Sequence, residues 1–209
     1  MTAALGKEPP AIRVVYLVRH GRTALNAAGL LRGHLDVPLD DAGWAEAQRL
    51  GDLFRGLSLA WIVASPLARA LETAAPIASA TGCDVHVDQD LIDRDYGPWA
   101  GKTRSDVAAV WGSVDAAPDV EPLDAFSARV IGTLRRLVEG LGEVPGVMVA
   151  HEAVNQMILA RLIDGLAEDP WAVPQRTGCW NRLELTEDGW RAPVVDAVPG
   201  DGRVPEPAT

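Results

Sequence analysis

Cysteine is scarce in this chain of 209 residues: only Cys83 and Cys179 occur, far apart and in no metal-like spacing. That excludes a disulfide-stapled scaffold and a thiolate metal cluster. Two reduced, partly buried thiols are expected instead, in keeping with a cytoplasmic location. Long apolar runs are missing as well. None approaches the roughly 18 residues of a membrane span, and Met1 to Pro10 carries no apolar leader core, so neither a membrane anchor nor a secretory signal is expected. Positive charge is in deficit. The formal net charge of -10 disfavours nucleic acid and anionic membrane as partners. There is no internal repeat, and no Walker-type P-loop, CxxC, HExxH or GxSxG pattern, so no metal and no organic cofactor is expected. His34 and His86 have no partner spacing that points to a metal, and read as a loop and a strand residue.

What the chain does have is apolar residues, at 48%, enough for one full core and about one domain. Residues 11–197 form that expected domain, with flexible tails at 1–10 and 198–209; the second tail is rich in proline and glycine. Between the tails strands and helices alternate. Ile12 to Val18 is a nearly continuous apolar run, as in a strand buried on both faces. Trp44, Ala47, Leu50, Phe54 and Leu57 recur at helical steps from about Asp41. Ala60 to Ala64 is a second short strand, and Ser65-Pro66 reads as N-cap and first residue of a helix running to about Ala80. A strand is expected at Asp84 to Asp88, a short helix near Ser105 to Trp111 and a longer one over Leu123 to Leu141. Gly146 to Ala150 reads as a buried strand followed by a helix at Ala153 to Ile163. Trp180 to Leu185 and Trp190 to Val195 flank a four-residue hairpin loop. The expected fold class is α/β, a three-layer α/β/α arrangement with a mainly parallel central sheet and a C-terminal β-hairpin. Such sheets bind ligands beyond the carboxyl ends of their strands.

Chemistry-bearing residues gather at those ends. Arg19, His20, Gly21, Arg22, Thr23 and Asn26 follow the first strand, Ser65 and Arg69 the second, and His151 and Glu152 the strand at 146–150. One histidine after a strand is ordinarily a loop residue, and one arginine in a helix's first turn is ordinarily solvated. Two histidines and two arginines at one edge of one sheet are not required by any packed core, and they form a candidate anion site in an otherwise acidic chain.

The arrangement resembles the histidine phosphatase superfamily, the phosphoglycerate-mutase-like enzymes. Arg19-His20-Gly21-x-Thr23-x-x-Asn26 matches its RHGxTxxN signature. Gly33-x-x-Asp36-x-Pro38-Leu39 with Gly43, Ser65-Pro66-Leu67-x-Arg69-Ala70 with Thr73-Ala74, Leu91-x-Asp93 with Gly97, Trp99 and Gly101, and Val149-Ala150-His151 are similar to four further segments. The likeness covers about residues 12–195.

It implies that His20 is a nucleophile which becomes a phosphohistidine, and that Arg19 and Arg69 hold phosphate and keep His20 neutral. It further implies that His151 donates to a phosphate oxygen, that Thr23 and Asn26 supply neutral hydrogen bonds, and that Gly21 allows close backbone approach. The family's proton donor is a glutamate; Asp93 takes that position one methylene shorter, with Asp95 as the alternative. Other departures are Arg22, a rim charge or a solvated one; Ala100 in place of an acid; and Glu152 in place of the usual glycine. Glu152 suits a helix N-terminus and would also repel a substrate carboxylate. Arg32 is a candidate for the non-phosphate part of the substrate, or else a surface residue.

The function implied is hydrolysis of a small phosphorylated metabolite, without metal, through phosphohistidine. A mutase and an inactive phosphate-binding module are the alternatives. Only about fifty residues separate Gly101 from His151, and they include the acidic stretch Asp115 to Asp124, a poor second anion site.

Overall fold

The structure is a computed structural model and describes residues 12–207. The N-terminal lead-in anticipated at 1–10 lies outside the described residues. Within them the order is β1 (Arg13–Arg19), α1 (Ala24–Ala27), α2 (Asp41–Phe54), β2 (Trp61–Ala64), α3 (Ala68–Thr81), β3 (Val85–Val87), α4 (Arg104–Trp111), α5 (Leu123–Glu139), β4 (Gly146–Ala150), α6 (Glu152–Leu162), β5 (Trp180–Thr186) and β6 (Gly189–Ala197). Short 3-10 turns occupy Gln89–Leu91, Gly97–Trp99 and Pro170–Ala172. The sheet order is β3-β2-β4-β1-β5-β6. β3, β2, β4 and β1 are parallel, while β5 and β6 add an antiparallel edge.

Alternation along β1 sets the three layers. Val15 and Leu17 face one side and pack with Phe126, Val130 and Leu134 of α5 and with Val154, Met157 and Ile158 of α6. Val14, Tyr16 and Val18 face the other side and pack with Leu50 and Phe54 of α2 and Ala70, Ala74 and Ile77 of α3. A strand that feeds two cores must be apolar at every position, which is why its sequence reads as an unbroken run. A third, smaller cluster lies apart from the sheet: Leu31, Tyr96, Val107, Val114, Ala117 and Val120, with Trp99 against it.

Two local readings need correction. The α3 helix starts at Ala68 with Leu67 as its N-cap and no side-chain cap, so Ser65 is not the cap; the Ser65 hydroxyl is committed elsewhere, as described below. The hairpin turn is tighter than four residues, because Thr186 pairs with Gly189 across Glu187 and Asp188. Beyond 197, the backbone N–H of Glu206 donates to Tyr16 Oη at 2.8 Å and Arg182 Nη1 donates to the Glu206 carbonyl at 2.8 Å. Among the described residues no helix is long and apolar enough to cross a membrane.

Candidate active site

Strand register delivers the candidate residues to one place. Arg19 pairs with Ala150 and Ala64 with Val149, so the residues that leave β1, β2 and β4 do so at a common level. The backbone N–H of His20 donates to the Ala150 carbonyl at 3.0 Å, and that of Ser65 to the Val149 carbonyl at 3.0 Å. His20 and His151 are fully buried with ring centroids 5.2 Å apart.

The His20 ring has a defined tautomer. Nδ1 lies 2.7 Å from the Gly21 carbonyl, and since a carbonyl only accepts, Nδ1 carries the hydrogen. Nε2 then bears the lone pair, is buried, and has no hydrogen-bond partner. The loop holding it is pinned from behind. Gly21 N–H donates to Thr73 Oγ1 at 3.0 Å, and Thr73 Oγ1 donates to the Arg69 carbonyl at 2.7 Å. Gly21 is also pressed onto α2: a Cβ at Gly21 would stand 2.5 Å from the Gly43 carbonyl oxygen, and one at Gly43 would stand 2.0 Å from the Arg22 carbonyl oxygen.

His151 Nε2 is 2.7 Å from Ser65 Oγ. If the hydroxyl donates, Nδ1 carries the ring hydrogen, and that nitrogen is buried without a partner. Burial is the main cause that holds both rings well below the usual histidine pKa. For His20 it is reinforced by His151, Arg69, Arg19 and Arg32, and for His151 by Arg69, Arg32, Arg19 and Arg129. Both imidazoles are therefore neutral at pH 7.

Three guanidinium groups surround the pair. Arg69, fully buried, donates to the carbonyls of Leu35 at 2.7 Å and Gly33 at 2.9 Å and lies 3.3 Å from Asp93 Oδ2. Arg19 donates to the Gln175 carbonyl and sits 3.1 Å from Glu152 Oε2. Arg32 Nη2 is 2.7 Å from the same oxygen of Glu152. The Nε of each arginine is buried without a partner. Five such orphaned nitrogens, on Arg19, His20, Arg32, Arg69 and His151, thus belong to residues linked around one spot, in a class of group that native interiors otherwise satisfy.

Asp93 joins this group and Asp95 does not. The Asp93 carboxylate is buried, accepts from the Arg94 N–H at 2.9 Å, and is 3.9 Å from His151 Nδ1. Asp95 is half-exposed, accepts from Gly97 N–H at 2.8 Å, and lies 3.7 Å from His34 Nδ1. Thr23 and Asn26 bond one another in a capping box that starts α1. Arg22 turns outward to Asp40 at 2.8 Å, the carboxylate that also caps α2.

Gln175 is a site neighbour that sequence reasoning missed, and Ser65, read as a helix cap, meets His151 instead. A Ser-Pro pair looks the same whether its hydroxyl caps a helix or holds a histidine. Gln175 acts through its backbone carbonyl, which no residue type reports. Among the described residues no group of three or more His, Cys, Asp or Glu could hold a metal ion.

A neutral histidine with a free, buried ring nitrogen, set among arginines at the carboxyl ends of a parallel sheet, is an arrangement suited to holding an anion against a nucleophilic nitrogen. Residues 15–196 match the family model of the histidine phosphatase superfamily, branch 1, and the chain belongs to that family. It is 31% identical over 183 residues to the adenosylcobalamin/alpha-ribazole phosphatase of Escherichia coli, across 83% of this chain and 90% of that protein. The alpha-ribazole phosphatase structure from Shigella flexneri superposes with a TM-score of 0.76 at 29% identity, over 88% of this chain and 96% of that one. A mycobacterial glucosyl-3-phosphoglycerate phosphatase structure gives 0.78 at 26% identity, over 88% and 99%. The chain is an enzyme of the histidine phosphatase type.

Proposed function

We propose that the protein is a metal-independent phosphomonoesterase that hydrolyses a small phosphorylated metabolite through a phosphohistidine on His20. The observation that carries this is the orphaned, lone-pair-bearing Nε2 of His20 among three arginines whose Nε groups are also unpaired.

The chemistry then runs in two displacements. Arg19, Arg32 and Arg69 hold the phosphate by charge-assisted hydrogen bonds, and His151 Nδ1–H donates to a phosphate oxygen. His20 Nε2 attacks phosphorus as the P–O bond to the alcohol breaks. The leaving oxygen takes its proton from Asp93. The ring, now a phosphoimidazolium, keeps its Nδ1–H on the Gly21 carbonyl, which stabilises the new positive charge. In the second step the Asp93 carboxylate takes a proton from water, the oxygen attacks phosphorus, the P–N bond breaks, and inorganic phosphate and neutral His20 are restored. Thr23 and Asn26 shape the turn that carries the nucleophile. The partners proposed are small phosphate esters, not nucleic acid or membrane, and the unpaired thiols of Cys83 and Cys179 fit the reducing cytoplasm.

The test is turnover of an aryl phosphate in excess EDTA by the wild type and by His20→Ala. Wild-type activity is expected to survive chelation and to fall on the order of a thousandfold or more in the variant. A His20→Ala protein that keeps wild-type turnover refutes the mechanism. Interconversion of phosphoglycerates without release of phosphate would show a mutase instead.

A further inference from the structure

Glu152 is the first residue of α6, where a carboxylate needs no explanation beyond the helix dipole. Its geometry asks for more. One oxygen, Oε2, meets both Arg32 Nη2 at 2.7 Å and Arg19 Nη2 at 3.1 Å. Its partners come from the loop after α1 and from the end of β1, so the contact spans 120 and more residues of sequence. The carboxylate is partly exposed while Arg19 and Arg32 are nearly buried, which puts the acid on the solvent side of the two cations. Arg32 also donates to the Leu30 carbonyl at 3.2 Å, and Arg19 to the Gln175 carbonyl. What each retains for a ligand is the buried, unpaired Nε.

The electrostatic consequence is asymmetric. The inner nitrogens can serve one phosphate, but outward a single carboxylate already engages both cations. A second negative group on the substrate, placed next to the phosphate, would meet Arg32 with Nη1 on the Leu30 carbonyl and Nη2 on Glu152, and would face Glu152 at close range. Like charges brought together in a partly desolvated site discriminate strongly. The Asp93 segment adds to this on its outer side, where a hollow of about 570 Å³ is lined by Asp95, Asp119 and Glu121 together with His34.

We propose that Glu152 is a specificity-determining residue that restricts this enzyme to phosphate esters with an uncharged remainder, and rejects those with a carboxylate or second phosphate near the reacting group. The substrate class is then an alcohol-type or sugar-type monophosphate rather than a phosphorylated acid. This rests on the phosphate-site reading above, and the test separates the two.

The test uses two ligands that cannot be hydrolysed, 3-hydroxypropylphosphonate and 3-phosphonopropionate, which share a phosphonate and differ in a hydroxyl against a carboxylate. Their affinities are measured by calorimetry for the wild type and Glu152→Gln, which removes the charge and keeps the shape. Wild type is expected to bind the hydroxyl ligand about tenfold or more tightly, one like-charge contact being of that order. In Glu152→Gln the gap is expected to shrink to about threefold or less, through tighter binding of the carboxylate ligand. An unchanged gap overturns the role of Glu152 and leaves the phosphate site standing. An equal gain for both ligands overturns it too, since Glu152 would then only compete with the phosphonate. If wild type binds neither ligand, the phosphate-site reading itself fails and takes this proposal with it.

Discussion

Asp93 and Asp95 show what two residues of spacing decide. Asp93 is buried against Arg69 and His151, while Asp95 is half-exposed beside His34. The sequence left both open because an extended stretch puts alternate residues on one face. In the folded segment residues 93–95 belong to no strand, and the chain turns at Gly97, with φ 51°, into a 3-10 helix. A proton donor matters most where the leaving oxygen is a poor one. Asp93→Asn is therefore expected to cost about a hundredfold or more in kcat on an alkyl phosphate and far less on a nitrophenyl phosphate. Asp95→Asn should change neither. Equal losses on both esters in Asp93→Asn would mean that the carboxylate only positions Arg69. Ser65 teaches the opposite lesson, because its local sequence pointed to a helix cap and its hydroxyl serves His151.

The strands that carry the site were legible because burial on both faces leaves them no polar position, and the chemistry-bearing residues begin where the apolar run ends. Helix starts were less legible. Capping side chains compete for several partners, and tertiary contacts decide which one wins. The contact between the His20 loop and α2 was visible only as a glycine at 43. Its cause is backbone against backbone: Gly43 meets the Arg22 carbonyl, and Gly21 meets the Gly43 carbonyl. Neither neighbour is a flexible side chain that could move away. Gly43→Ala is expected to force this loop off the α2 terminus, costing about 1–3 kcal/mol of stability. His20 would also shift, so kcat should fall more than the stability loss explains. Urea unfolding and turnover at a temperature where the variant is fully folded check both. A variant as stable and as active as wild type would show that the loop has room to spare.

At the scale of the whole molecule, a net charge of -10 and the proposed anion site are compatible because that site is local and inward. Arg19, Arg32 and Arg69 are held by backbone carbonyls and by Glu152 and Asp93, so the field that a distant phosphate senses differs from the one it meets on arrival. The three-layer fold and the two histidines could be read from strand pattern and motif. The Glu152 pairing and the small cluster around Tyr96 and Val107 could not, because their partners lie far apart in sequence and no local period records them. Two successive displacements at phosphorus are the central claim, and the stereochemistry of transfer tests it directly. An ester made chiral at phosphorus by isotopic labelling would be hydrolysed and the configuration of the released phosphate determined. Net retention is the result expected of attack by His20 followed by water, whereas inversion would mean that water attacks the ester directly and that no phosphohistidine forms.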